Sequence, residues 1–357
     1  MNSNQFINAA QVGGIEAYSF ENGAARGTRA LVVNTGGGLR YRILPDRGLD
    51  IDQAFFNQHS LTFLAYKGVT PPQAEALRHG ADWLRGFGVG LLTSCGPTNA
   101  GGPATDNGET VGLHGPHSGT AASVESVVQP DVRAGKLEMS VTAVVRYGAF
   151  YGPCVELRRT ITSRLGENVI DVRDEFFNAG NEDQPHAWLL HVNFGYPLCD
   201  AGSVFCYDAE KIEPLDDPAA QKYFGAGDGA YKRVPAPLKE HHGQNSVVAY
   251  LYPKAVSAAG DVTVGVVNER LGFGVALHYN AREFARCGNW QHWGEHEYVG
   301  ALEPMTGGVE GRDKDRAKGW LLNLPAGGRR SYRYKIEVVS DEAGMGRLLA
   351  LNEGAKR

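Results

Sequence analysis

The sequence predicts an all-β fold of antiparallel strands packed as a sandwich or barrel. Three observations predict it. Apolar and polar residues alternate in short runs, glycine is abundant at 47 residues between those runs, and no helical pattern alternates with them as a βαβ chain would require. In LEMSVTAVVRYG (137–148), Leu137, Met139, Val141, Ala143 and Val145 fall on one face. In SYRYKIEVV (331–339), Tyr332, Tyr334, Ile336 and Val338 do the same. CVELRRTITS and NVIDVRDEFFN flank RLGE, which reads as a hairpin turn. VTVGVVNERLGFGVALHY reads as a second hairpin, turning near Leu271 and Gly272. Helix signals are few. PPQAEALRHG (71–80) opens on proline and closes on glycine, and a C-terminal helix is expected at about 341–355. No repeat or low-complexity linker divides the chain, so one domain over 1–357, of two packed sheets, is expected.

Charge and composition exclude several classes. The 35 basic and 40 acidic residues give a net charge of −5, which is no footprint for nucleic acid. The basic run Arg312 to Lys318 is interleaved with Asp313 and Asp315 and reads as a solvated segment. No window approaches a membrane span, and the N-terminus lacks the basic and apolar regions of a secretory signal. The five cysteines are odd in number and never spaced as CxxC, so no disulfide framework is expected. A soluble cytoplasmic protein is the expectation.

Five stretches carry possible chemistry. NTGGGLRYRILPDRGLD (34–50) has the glycines of a nucleotide loop, but they lead into the alternating Leu39, Tyr41 and Ile43 rather than a helix. A hairpin is the better reading. The turn after it sets Asp46 beside Arg47, either as a surface salt bridge or as an arginine displayed toward a cleft. HWGEH (292–296) matches the H-x-x-E-H zinc motif, which works only on a helix. Gly288, Gly294 and the strand-like YVGALEP argue against a helix. A polar loop able to line a sugar site is expected, with a zinc hydrolase through His292 and His296 as the lesser alternative. GLHGPHSG (112–119) holds His114 and His117 between glycines, as plain loop histidines or as imidazoles fixed near a ligand. In LLHVNFGYP (189–197), His191 sits in a strand with Asn193 two places on, as a core histidine or as a group that moves a proton. In ALEPMTGG (301–308), Glu303 precedes Pro304, which should end the strand. Burial there would raise the carboxyl pKa toward neutrality, as a general base requires.

The order of these stretches is informative: an HG loop, a strand with H-x-N-F, then a strand with L-E-P. That order resembles the aldose 1-epimerase family, the galactose mutarotases. The resemblance is nearest to the bacterial DUF4432 branch, through PDRGLDI (45–51), GFGVGLLTSCGPTNAGGP (86–103) and the segment LNLPAGG (322–328), and it spans roughly residues 30–340. It implies a β-supersandwich in one domain and an isomerase that interconverts sugar anomers. It also implies Glu303 as general base, His191 as general acid and His114 as a second histidine that holds the sugar oxygens. Arg47 resembles the family's arginine, and Asn193, His117, Trp290 and Gln291 are candidates for substrate contact. Asp200 and Asp46 are both possible as the substrate-orienting aspartate. After His191 the chain runs VNFGYP rather than the SYFNL type, a departure that bears on which sugar fits.

Ring opening needs a base at the C1 hydroxyl and an acid at the ring oxygen, and glutamate and histidine can both be tuned near neutral pH. No metal, nucleotide or other cofactor is required. The implied partner is a small-molecule sugar, free or modified. Trp290 and Trp83 could stack on its apolar face, although Trp83 reads better as core packing. A non-catalytic carbohydrate-binding protein is the rival reading, and it predicts loss of one of the three groups that are all present here.

Overall fold

The computed structural model describes residues 3–75, 78–226, 229–254 and 257–353. Two large antiparallel sheets face each other. The first has 11 strands, running in spatial order Gly14–Ser19, Arg29–Asn34, Leu39–Leu44, Asp50–Phe56, Leu92–Cys95, Leu189–Gly195, Glu297–Met305, Arg286–Gly294, Val247–Pro253 and Ala209–Pro214, with His59–Ser60 beside Asp50–Phe56. The second has eight: Val204–Cys206, Asp261–Asn268, Phe273–Asn280, Arg329–Val339, Val169–Asn178, Cys154–Arg164, Glu138–Gly148 and Ala122–Val128. The expected alternation is realised. Met139, Val141, Ala143 and Val145 join Tyr332, Tyr334, Ile336 and Val338 in one buried cluster, which Leu39, Tyr41, Ile43, Leu190 and Val192 of the first sheet complete. The hairpins at 154–178, 261–280 and 29–44 form as the turn residues predict.

Four local expectations need correction. The described part of 71–80 forms turns, and Ala76 and Leu77 lie outside the described residues. The backbone there bonds to the 112–119 loop, with Gln73 N–H donating to Gly119 O and Leu113 N–H to Gly80 O. The strand bearing Glu303 does not stop at Pro304. It continues to Met305 between two neighbours, with Pro304 opposite Cys287. HWGEH is neither helix nor loop: His292 to Gly294 end one strand, and Glu295 and His296 turn into the next. The run from Arg312 is not a solvated segment. It is a helix, Arg312–Ala317, whose Arg312 is buried against Asp106 and Glu109 and whose Asp315 accepts from Gly308 N–H. The C-terminal helix forms over Glu342–Ala350, capped by the Asp341 side chain, and residues 354 and 355 of its expected span lie outside the described ones.

A charged cluster ties the sheets together inside this apolar core. Arg159, fully buried, bonds Asp174 at 2.7 Å and 2.9 Å and Asp50 at 2.9 Å. Its Nη2 also reaches Ser94 Oγ and Tyr334 OH. Asp50 and Ser94 belong to the first sheet; Arg159, Asp174 and Tyr334 belong to the second. Trp188 Nε1 donates to Asp174, and Ser94 N–H donates to Asp50. Buried charge is tolerated only when paired and hydrogen-bonded like this. Arg159→Met would leave two carboxylates buried without their cation. The expected loss is about 3–5 kcal/mol of unfolding free energy, read from urea denaturation, and a loss below about 1 kcal/mol would mean that the cluster does not bind the sheets.

Candidate active site

The strands of the first sheet alternate, so each residue that leaves the inter-sheet core points to the sheet's other face. On the strand Leu189–Gly195, Leu190, Val192 and Phe194 enter the core, which sends His191 and Asn193 to that face. Leu302 likewise enters the core and Glu303 does not. Register between these two strands is locked at their ends. Trp188 N–H donates to Thr306 Oγ1 at 3.0 Å, and Thr306 N–H donates to Trp188 O at 3.0 Å. Leu189 then faces Met305, Val192 faces Leu302, and His191 Nε2 comes within 3.1 Å of Glu303 Oε1. On the next strand Gly288 lies opposite Glu303, where a Cβ would sit 2.7 Å from Oε2. Glycine is what gives the carboxyl group its seat.

His191 and Glu303 are 4% and 2% exposed, so neither charge is hydrated. Burial pushes the Glu303 carboxyl up to about 8. Burial also pushes His191 down to about 4, opposed by its bond to Asn193. The pair therefore holds a single proton across the neutral range. Asn193 decides which ring nitrogen is available. Its Nδ2 donates to Gly90 O at 3.0 Å and His191 O at 2.9 Å, so its Oδ1 is the atom that meets His191 Nδ1. Nδ1 must be the donor, and Nε2 of the neutral ring is left as a lone pair 3.1 Å from Glu303 Oε1. Proton exchange between Oε1 and Nε2 then converts an acid–neutral pair into a carboxylate and an imidazolium.

Aromatic rings enclose the pair. Phe87 and Trp290 each lie 5.3 Å from His191 between centroids, and the His114 ring lies 5.9 Å away. His114 occupies a left-handed backbone conformation, φ 58°, with its N–H on Gly101 O and its carbonyl accepting from Gly96 N–H. Its Nδ1 accepts from Gly101 N–H at 3.2 Å, which leaves Nε2 as the N–H of the neutral ring. Burial, then the neighbouring His191, pushes its pKa down to about 3. Gly115 follows because a Cβ there would meet Gly96 O at 2.5 Å. The site thus offers one proton pair and one fixed neutral imidazole.

The structure brings together Glu303, His191, His114 and Trp290 from the sequence candidates. Asn193 is fully buried and spends its amide on His191 and Gly90, so it orients the histidine instead of contacting substrate. His117 is a correction: it is buried between the sheets, bonded to Tyr147 OH and 3.4 Å from Asp50. Gln291 is another. It shares the strand face of Cys287 and Trp293, turned from Glu303, and its amide is used by Tyr223, Trp293, Asn289 and the Tyr231 carbonyl. Asp46 pairs with Arg29 and Asp200 with Arg270, so neither is free to orient a sugar. Arg47 is no surface residue. It is 7% exposed, bonded to Thr70 Oγ1 and Gly86 O, and lines a cavity beside the strand Leu92–Cys95. Trp83 packs in the smaller core cluster as expected, but it also supports the ring of His114 at 4.5 Å. His292 reaches Glu297 at 3.2 Å, and among the described residues no cluster of three metal-binding side chains occurs. Phe87 and Gly288 are the residues that sequence reading missed. The only signal for Gly288 was a glycine inside an otherwise regular strand.

Asn193→Leu removes the acceptor at Nδ1 while filling similar space. The expected result is a shift of the His191 ring toward its Nε2–H tautomer, read from the histidine ¹⁵N resonances, with a stability loss of about 1–3 kcal/mol. Unchanged resonances would mean that Asn193 does not set the tautomer.

Comparison with known proteins follows the geometry. The sequence matches the family described as Domain of unknown function (DUF4432) over residues 25–338. No curated protein matches the chain. Among solved structures, a provisionally named aldose 1-epimerase from Klebsiella pneumoniae subsp. pneumoniae MGH 78578 superposes with a TM-score of 0.85 at 22% identity, covering 98% of this chain and 90% of that one. A galactose mutarotase-like protein from Clostridium acetobutylicum gives 0.63 at 11% identity, covering 92% and 98%. Galactose 1-epimerase from Lactobacillus acidophilus NCFM gives 0.57 at 10% identity, covering 92% and 99%. At these identities the likeness is one of fold, and that fold is the galactose mutarotase-like β-sandwich expected from the sequence. With 25–338 of its residues matched, the chain belongs to the DUF4432 family.

Proposed function

We propose that the protein is an aldose 1-epimerase-like isomerase that interconverts the anomers of a sugar by ring opening. The observation that carries this reading is the buried His191–Glu303 contact of 3.1 Å, with one proton between two groups and no metal or nucleophile needed beside it. A hemiacetal carries its C1 hydroxyl oxygen and its ring oxygen on the same carbon. One base and one acid side by side can serve both. In the form with Glu303 as carboxylate and His191 as imidazolium, Glu303 takes the O1 proton as the C1–ring oxygen bond breaks. His191 Nε2 delivers its proton to the departing ring oxygen. The open-chain carbonyl rotates about C1–C2, and the reverse transfers close the other face. Each group returns to its starting state, so the pair is reset every cycle. His114 suits the role of a neutral N–H donor to a sugar oxygen, since its low pKa keeps it uncharged. Trp290, half-buried beside His191, suits stacking on the apolar face of the ring.

Glu303→Gln and His191→Asn should each cut anomer exchange by about 10²–10⁴-fold while sugar binding survives. Exchange would be measured by saturation-transfer NMR over a panel of free aldoses and ketoses. Wild-type rates in both variants would sink the assignment, and binding without exchange in the wild type would make the protein a carbohydrate binder.

The pH dependence follows from the shifted pair. Protonation of His191, pushed down to about 4, adds a second proton on the acid side, and ionisation of Glu303, pushed up to about 8, removes the last one on the alkaline side. Exchange should therefore be bell-shaped between those limits, with apparent values that belong to the pair. A profile that stays flat through both limits, about 4 and about 8, would contradict the one-proton arrangement.

A further inference from the structure

Arg47 lines a cavity of about 80 Å³ that reaches the sheet face of His191 through Thr93, together with Asp50, Asp52, Thr70 and Ser118. Thr93 is the cross-strand partner of His191, so the cavity floor begins one strand away, about 4.8 Å. The loop that roofs the cavity through Gly86, Gly88 and Val89 also carries Phe87, whose ring packs on His191. The cavity and the His191–Glu303 pair share that loop and that strand.

The charges in the cavity wall are unevenly matched. Asp52 is paired with Arg42 at 2.5 Å, and Asp50 is paired with Arg159 at 2.9 Å. Among the described residues Arg47 is in no ion pair, and only two of its bonds are seen, to Thr70 Oγ1 and Gly86 O. A guanidinium has five N–H donors in a planar fork. Burying one at 7% exposure without an anion is costly. Burial accordingly pulls its pKa down, opposed by the more distant Asp50.

We propose that this cavity is an anion subsite of the sugar site, and that the substrate is an acidic monosaccharide whose carboxylate sits on Arg47. This rests on the sugar-isomerase reading above and names its substrate class. Size allows a substituent: at roughly 10–15 Å³ per water the cavity takes about five to eight waters, space enough for a carboxylate. Charge supports a carboxylate over a phosphate. One negative charge balances the one unpaired cation, whereas a dianion would add a charge facing Asp50 and Asp52 with nothing to offset it. The planar fork also matches a carboxylate in two parallel bonds.

The test is calorimetric titration of the full chain with galacturonate, glucuronate and mannuronate, the matching hexoses and their 6-phosphates. At least one hexuronate should bind about 10-fold or more tightly than its hexose, a difference of about 1.4 kcal/mol, and its 6-phosphate should not. Arg47→Met should erase the difference between hexuronate and hexose. If Arg47→Met does not fold, Arg47→Gln replaces it, and the wild-type ratio decides by itself. No hexuronate preference, a preference that persists without Arg47, or tighter binding of the 6-phosphates would each overturn the subsite. Anomer exchange followed in parallel separates the two ideas. Exchange of neutral hexoses with no uronate preference removes the subsite and keeps the isomerase, and Arg47-dependent uronate binding without exchange does the reverse.

Discussion

Arg159 is the hinge pin on which the arrangement turns. It is a cation buried between two sheets, and its partners come from both of them. Apolar packing between sheets is non-directional, so by itself it would tolerate sliding. A guanidinium held by two carboxylates and two hydroxyls does not. Through Asp50 and Ser94 the cluster fixes the strand Leu92–Cys95, which pairs with the His191 strand. Through Asp174 it fixes the Trp188 indole, and the Trp188 backbone clamps Thr306. The strands that carry His191 and Glu303 are therefore both registered against the same buried charge. A slip of one residue would turn each side chain to the opposite face.

The site then exploits what the cluster avoids. Between the sheets Arg159, Asp174 and Asp50 are paired with one another. On the outer face His191 meets Glu303 and Asn193 within a ring of aromatic side chains. Loss of hydration works on the two groups in opposite directions, raising the acid and lowering the base until a single proton serves both. Asn193 and Gly288 add no chemistry of their own. One presents the correct nitrogen and the other leaves room for the carboxyl, and such supporting residues hold a reactive geometry to a fraction of an ångström.

Much of the fold was legible because period-two alternation is a local property. Met139 to Val145 and Tyr332 to Val338 needed no knowledge of their neighbours to be read as core faces. Of the site, the order of the HG, H-x-N-F and LEP stretches was informative, yet the roles of single residues were not. His114 and His117 look alike in GLHGPHSG, but a turn separates them onto different sides of the sheet, one beside His191 and one beside Asp50. Gln291 and Trp290 are adjacent, and strand alternation sends only Trp290 to the site. Pro304 misled because a proline without an N–H reads as a strand end, while here the ladder to Cys287 carries the strand past it. Arg312 misled because its partners, Asp106 and Glu109, are some two hundred positions away. Each miss turns on a contact that sequence distance hides.

His191 and Glu303 are neighbours in space but belong to strands made far apart in synthesis, with the Leu92–Cys95 strand still earlier. Their meeting closes a very long loop, and contacts of that kind form slowly because chain entropy must be spent before they are rewarded. The nascent chain cannot bring His191 and Glu303 together until the strand Glu297–Met305 has been made and docked. Until then Glu303 is an ordinary hydrated carboxylate and His191 an ordinary imidazole. Their unusual acidities come into being with the final closure of the sandwich, so titration of this pair doubles as a report on whether the chain has finished folding.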